Sequence, residues 1–363
     1  EGHRILLDDG ALALTVREHQ RKLLVCEVLN DGEIKNKKTV NVPGVELSMP
    51  SLTLKDREFI EFAVKENLDF IAHSFVRHRD DVMAVQSILD TYRSKIKIIA
   101  KIENRQGVRN LDSILDLAYG AMVARGDLGV EIPAEEVPLI QKRIIYECMV
   151  RCKPVITATQ MLQSMIDNPR PTRAEVSDVA NAVFDGTDAV MLSGETAQGK
   201  YPVEAVETMA RIIAQAESAT PEHFTLPRQE IHDQYPQRSY IIKCALDTAK
   251  TLPVKAIVCS TSTGTAARLS AAYRATVPVL ALSPDPVVVR QLAMSYGVYG
   301  SLGEDGGDAT GTVLRSCKIL LDEGKIEPDD LVAVIGNYPL RQEGTNFLCI
   351  NTIRSIITVE KAR

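Results

Sequence analysis

From Pro43 to Ser218 a helix-spaced apolar segment is followed by a short apolar strand, five times in succession, and this alternation constrains the fold more than any other feature. Thr53-Leu54-Lys55-Asp56 reads as a capping box opening a helix with Phe59, Ile60, Ala63 and Val64, which leads to a strand at Leu68–Phe75. A helix carrying Val82, Val85 and Leu89 leads to the strand Ile96–Glu103, and helix Leu111–Leu117 leads to Ala121–Asp127. Helix Ala134–Cys152 precedes Pro154–Thr159, helix Ala174–Phe184 precedes Asp188–Gly194, and helix Pro202–Ser218 closes the series. Such regular alternation imposes parallel strands joined by right-handed crossovers. Periodicity alone fits a closed barrel and an open doubly wound sheet equally. Aromatic residues are only 5% and Trp is absent, so the cores are built from Val, Ile, Leu and Ala, as buried parallel sheets usually are.

The flanks differ. Residues 1–43 read as short antiparallel strands (Arg4–Leu7, Ala11–Val16, Leu23–Leu29) around Asp-Gly turn signals, too few to bury a core alone. Thr220–Arg238, with three prolines and mixed charge, reads as an interdomain linker. Alternation then resumes: helix Tyr240–Leu252 and strand Val254–Ser260, helix Ala266–Ala275 and strand Val277–Leu282, helix Val287–Tyr296 and strand Val298–Leu302, helix Thr312–Leu321 and strand Leu331–Gly336, with Phe347–Ile353 last. The expected organisation is therefore 1–43, 44–219, a linker at 220–238, and a smaller α/β domain at 239–363, which suits 363 residues at roughly 100–200 per domain.

Composition excludes several classes. With 45% hydrophobic and 25% charged residues the chain is globular rather than disordered. A net charge of −6 removes bulk electrostatics as a reason to expect nucleic acid. No apolar run approaches the roughly 18 residues of a membrane helix. Seven cysteines, odd in number and mostly within apolar runs, read as reduced buried thiols of a cytoplasmic protein rather than as a zinc site.

Polar residues collect at the carboxyl ends of the expected strands, where α/β proteins build their sites. Lys101 and Glu103 lie two apart and so share a strand face; a structural ion pair is the plainer reading of the two alone. Asp127 ends the next expected strand. Together with Glu103 it makes an oxygen-rich pair suited to Mg²⁺, the alternative being that Asp127 caps a following helix. Gly126 lets a ligand approach the backbone. Thr159 ends a further strand and reads equally as a turn residue; Asn168–Glu175 forms a basic, proline-rich loop, and the last strand ends in Leu192-Ser193-Gly194-Glu195-Thr196. In the second domain Ser260-Thr261-Ser262-Thr263-Gly264-Thr265 precedes a helix, which fits a phosphate cradle or an ordinary capped loop equally.

At these residues the chain resembles a known family. Ile98–Asn104, Met122–Gly129, Ile156–Met165, Pro169–Glu175, Asp178–Asp185 and Met191–Thr196, with Asp8-Asp9-Gly10 and Asn41–Gly44, match pyruvate kinase motifs in order and spacing. The resemblance implies the last five strands of a (β/α)₈ barrel, a remnant of an inserted β lid domain, and a carboxyl-terminal α/β three-layer regulatory domain. It implies phosphoryl transfer from phosphoenolpyruvate to ADP, giving ATP and pyruvate, in a cytoplasmic homotetramer. By position, Lys101 would stabilise the transferring phosphoryl group, Glu103 and Asp127 would hold Mg²⁺ or Mn²⁺, and amides near Gly126 and Asp127 would take the substrate carboxylate. Thr159 would route the proton to the enolate, Ser74 would line the phosphoryl site, Asp8 and Lys37 would approach the nucleotide, and Ser260–Thr265 would bind a phosphorylated effector.

The resemblance also implies a chain beginning well before Glu1, with three further barrel strands, half the lid, and the early residues that hold K⁺ and part of the phosphate. On that expectation the isolated chain is poorly stable and inactive. Two other readings are a truncated effector-binding or assembly module and another pyruvate-forming barrel enzyme, an aldolase or lyase.

Overall fold

The computed structural model describes residues 1–8, 10–34, 36, 38–45, 50–219, 231, 236–303, 309–337 and 344–358. Lys37 and most of the 220–238 segment lie outside the described residues. The chain divides into two compact units, one comprising Glu1–Tyr146, Val155–Asp185 and Val190–Ala214, the other Glu147–Pro154, Gly186–Ala189 and Gln215–Arg363.

The first unit opens with β1 (Arg4–Leu7), β2 (Leu12–Gln20), β3 (Leu23–Val28) and β4 (Val40–Asn41), an antiparallel sheet in the order β3-β2-β1-β4. β2 runs past Val16 to Gln20 because a register shift between Val16 and Glu18 lets it stay paired with β3. The alternating part follows: α1 (Leu54–Lys65), β5 (Phe70–His73), α2 (Arg79–Thr91), β6 (Lys97–Ile102), α3 (Arg105–Arg109), α4 (Leu111–Leu117), β7 (Gly120–Ala124), α5 (Arg125–Glu131), α6 (Val137–Val150), β8 (Val155–Ala158), α7 (Arg173–Asp185), β9 (Ala189–Met191), α8 (Gly194–Ala197) and α9 (Pro202–Ser218). A 3₁₀ turn at Gln163–Ile166 precedes α7. The strands form one sheet in sequence order, β5-β6-β7-β8-β9, and the ladders from β5 to β8 are parallel.

Local chemistry explains these elements. The expected capping box closes in both directions: Thr53 Oγ1 accepts from Asp56 N and Asp56 accepts from Thr53 N. α2 buries Val82, Val85 and Leu89 on one face at helical spacing. β7 and β8 are buried at every residue, as strands covered on both faces must be.

Two expected strand ends are corrected. Asp188–Gly194 stops at Met191, with Gly194 already opening α8. Ala121–Asp127 is not a continuous strand: β7 stops at Ala124 and Arg125 begins α5. The fully buried run ends at Ala124, and hydrogen bonds from the Arg125 side chain and the Gly126 amide turn the backbone into a helix. Asp127 therefore lies in the first turn of α5, not on a strand beside Glu103, and it is not the capping residue, which is Ala124.

In the second unit, α10 (Pro236–Thr251), β10 (Val254–Ser260), α11 (Thr265–Ala272), β11 (Val279–Ser283), α12 (Pro286–Leu292), β12 (Val298–Leu302), α13 (Ala309–Asp322), β13 (Leu331–Gly336), β14 (Phe347–Thr352) and α14 (Ile353–Thr358) succeed one another. The sheet order is β12-β11-β10-β13-β14, parallel except for β14, which pairs antiparallel with β13. Side chains alternate between its faces. Ile257, Cys259, Ala333 and Ile335 join α10 and α11 in one core, while Ala256, Val258, Val332 and Val334 join α13 and α14 in another. All seven cysteines are free thiols, and burial pushes those of Cys259 and Cys317 up to about 12. Among the described residues no helix is long and apolar enough to cross a membrane.

Candidate active site

Parallel pairing brings the ends of β5 and β6 side by side, His73 opposite Ala100. Ser74, Lys101 and Glu103 therefore meet. Lys101 Nζ stands 2.7 Å from Glu103 Oε1 and donates to Ser74 Oγ at 2.9 Å. The Glu103 side chain is 1% exposed and that of Lys101 24%, so the cation reaches the surface while the carboxylate is buried beneath it. Glu103 Oε2 accepts from Phe75 N at 2.6 Å, whereas Oε1 accepts no well-aligned hydrogen bond. The ammonium is near Oε1 but poorly aligned with it. Asn104, next in sequence, caps α3 by accepting from Gly107 N at 2.8 Å, which fixes the turn after Glu103. Buried His73 is held below its ordinary pKa by desolvation and so favours the neutral ring.

The ends of β7 and β8 form the second half. Gly126 N, an amide of the first turn of α5, donates to Thr159 Oγ1 at 2.8 Å, and that hydroxyl donates to Ala158 O at 2.7 Å. A Cβ at Gly126 would stand 3.3 Å from Thr159 Oγ1, so a side chain there would push the hydroxyl by a few tenths of an ångström. Thr159 and Gln160 both have positive φ, 68° and 54°. A β-branched residue in that region is uncommon and strained. Asp127 lines a cavity of about 830 Å³ that Ser74, Phe75 and Asn104 also line.

Beyond β9, Glu195 is fully buried and its carboxylate accepts from Leu162 N at 3.0 Å and Ser193 N at 2.8 Å. It thereby ties the loop after β8 to the loop after β9. In the first turn of α7 Glu175 accepts from the amides and hydroxyls of Ser164 and Thr172. Burial alone would raise its pKa, but these hydrogen bonds outweigh burial and lower it.

Among residues given a role from sequence, the structure gathers Ser74, Lys101 and Glu103 in one cluster and Gly126 with Thr159 in another, with Asp127 lining a cavity that Ser74 also lines. Asp8 lies apart from these contacts, paired with Lys38 at 2.9 Å where the chain leaves β1 and approaches β4. Among the described residues no three His, Cys, Asp or Glu side chains converge as a metal cluster. Sequence reasoning gave no role to Arg125 or Glu195. Arg125 follows an apolar run and resembles any solvated strand end; only its buried partners distinguish it.

In the second unit, Ser260 ends β10 and Gly264, at φ 75°, caps α11. Thr261 Oγ1 accepts from Gly264 N at 3.0 Å, and Thr263 and Thr265 hydroxyls are 2.9 Å apart. Arg268 reaches back to Thr263 O and Thr265 Oγ1, so a cation that sequence placed only after the loop bonds to it.

Comparison with known proteins gives a consistent answer. A family model described as pyruvate kinase, barrel domain, matches residues 1–206, and one described as pyruvate kinase, alpha/beta domain, matches residues 239–351. A pyruvate kinase of Borreliella burgdorferi is 49% identical over 362 residues, covering 98% of this chain and 76% of its own length. One from Geobacillus stearothermophilus is 46% identical over 360 residues, covering 98% and 61%. One from Clostridium acetobutylicum is 43% identical over 354 residues, covering 97% and 75%. The chain thus spans 61–76% of the length of these relatives. Matches to both kinds of domain set aside the aldolase or lyase reading.

Proposed function

The chain belongs to the pyruvate kinase family, and from that premise we propose that its own residues serve phosphoryl transfer from phosphoenolpyruvate to ADP, giving ATP and pyruvate. The observation that carries the reading is the Lys101, Glu103 and Ser74 cluster at the carboxyl ends of two adjacent parallel strands. In the reaction the bond between phosphorus and the enol oxygen breaks, a bond forms to the terminal phosphate oxygen of ADP, and C3 of the enolate takes a proton.

Lys101, partly exposed above a buried carboxylate, supports charge on the transferring group, with Ser74 beside it. Glu103 and Asp127 suit Mg²⁺ or Mn²⁺: both are hard oxygen donors, and the poorly satisfied, buried Oε1 of Glu103 is an oxygen that a cation would complete. Bound there, such an ion neutralises charge on substrate oxygens. K⁺ belongs to the reading as a family trait, with no residue of this chain assigned to it.

The substrate carboxylate meets the amides at Gly126 and Asp127. Because Gly126 N now donates to Thr159 Oγ1, carboxylate binding exchanges that contact and frees the hydroxyl oxygen to accept from a water; turning its own O–H away from Ala158 O then lets it relay a proton toward C3. The five-stranded sheet in sequence order is read as an arc of a (β/α)₈ barrel, residues 1–43 as lid, with Asp8 and Lys37 toward the nucleotide, and 239–363 as a regulatory domain. In that domain Ser260–Thr265, with Arg268, suits a phosphorylated effector. A homotetramer rests on the family resemblance alone.

The test is pyruvate formation that requires both ADP and a divalent cation and that Lys101→Met removes. Undiminished turnover in that variant would refute the assignment.

A further inference from the structure

The backbone of Thr159 is in a conformation its own side chain disfavours, and it is followed by a second residue in the same left-handed region. Strain of this kind persists only where surrounding structure imposes it. The nearest agent is Arg125. Its Nη2 donates to Thr159 O at 2.8 Å and faces the Met161 sulfur. Its Nη1 donates to Asp178 Oδ1 at 2.7 Å and to Gln141 Oε1 at 3.4 Å. The side chain is only 10% exposed. A guanidinium so buried is held by its partners, here from α6 and α7, and its planar fork fixes the angle between the two hydrogen-bonding ends. Lysine, a single point charge, cannot span both.

We propose that Arg125 is a positioning residue for the transfer reaction: anchored by Asp178 and Gln141, it holds the Thr159 carbonyl so that the left-handed backbone aims Oγ1 at the reacting centre. The inference rests on Thr159 being the proton-routing hydroxyl. It also explains how that hydroxyl exchanges partners without the backbone relaxing, since Arg125 grips the carbonyl and not the hydroxyl.

The test is a double-mutant cycle in the full chain, with kcat and KM for phosphoenolpyruvate measured separately. Arg125→Lys is expected to lower kcat about 10- to 100-fold while KM stays within about threefold. In a Thr159→Gly background, where there is no hydroxyl to aim and no strain to hold, Arg125→Lys should lower kcat no further. Additive losses from an impaired Thr159→Gly overturn the inference alone. An unimpaired Thr159→Gly removes the reading of Thr159 and this inference with it. Should Arg125→Lys fail to fold, Asp178→Asn carries the same cycle, because the Asp178 side chain is 36% exposed and tolerates replacement. Its expected loss in kcat is smaller, about 2- to 10-fold, and it too should vanish in the Thr159→Gly background; persistence there overturns the proposal.

Discussion

Lys101→Met separates two jobs that one side chain performs. Glu103 is 1% exposed; the Phe75 amide stands 2.6 Å from its Oε2, and Lys101 Nζ stands 2.7 Å from its Oε1. Methionine fills much of the lysine volume but leaves a buried carboxylate without its cation. Removing one partner of a fully buried pair costs about 3–5 kcal/mol; the partly exposed lysine end moderates this to about 2–4 kcal/mol. For a unit of this size that is a fall of roughly 4–16 °C in Tm by scanning calorimetry. Adding Glu103→Gln removes the stranded charge, so the double variant should regain most of the lost Tm. Activity behaves differently. Loss of a preorganised positive charge at the transferring group should lower kcat about 100- to 1,000-fold, and Glu103→Gln restores none of it. A Lys101→Met variant with kcat within about threefold of the parent would refute the charge-stabilising role. A double variant as unstable as the single one would refute the claim that the stranded carboxylate causes the instability.

Other perturbations are expected to act through equally local causes. Gly126→Ala places a Cβ 3.3 Å from Thr159 Oγ1, and steady-state kinetics should show a fall in kcat of about 10-fold with little change in Tm. Glu175 has a folded pKa below the ordinary value of about 4.3, so its stabilisation is present above that pH and lost as pH falls through the lowered folded pKa. Glu175→Gln should accordingly weaken the acid-side dependence of the urea midpoint, and an unchanged pH profile would contradict the assignment. In the second unit Arg274 pairs with Asp188, which is 6% exposed, at 3.1 Å and stacks on Tyr296 at 5.0 Å. Arg274→Met should lower stability by about 2–4 kcal/mol in denaturant titration, and a loss under about 0.5 kcal/mol would mean that water replaces the arginine.

What was legible in the sequence follows from which forces are local. β7 and β8 are buried on both faces, and continuous, largely apolar runs announce such strands. Thr53 and Asp56 announced a helix start because both partners of the capping box lie within four residues. The Lys101 and Glu103 contact was legible from a spacing of two at a strand end, although Glu103 lies one residue past β6 and the Asn104 cap helps to hold it there. The end of β7 was not. Whether Arg125 continues a strand or opens a helix is decided by Thr159, Gln141 and Asp178, up to 53 residues away, and no local pattern carries that information. The same holds for Glu195, whose two amide partners make a buried carboxylate tolerable and whose sequence context reads as an ordinary loop.

Thr159 is the sharpest case, because there local propensity points the wrong way. Threonine favours extended backbone and glycine suits positive φ, so conformational ease alone would select glycine at φ 68°. A residue that stores strain where a more relaxed one is available is explained by what its side chain supplies, and what threonine supplies over glycine is a methyl group and a hydroxyl. The hydroxyl already spans Gly126 N and Ala158 O, at the boundary between a strand end and a helix start. Thr159→Gly should therefore raise or preserve Tm while lowering kcat, a divergence that a merely structural threonine cannot produce.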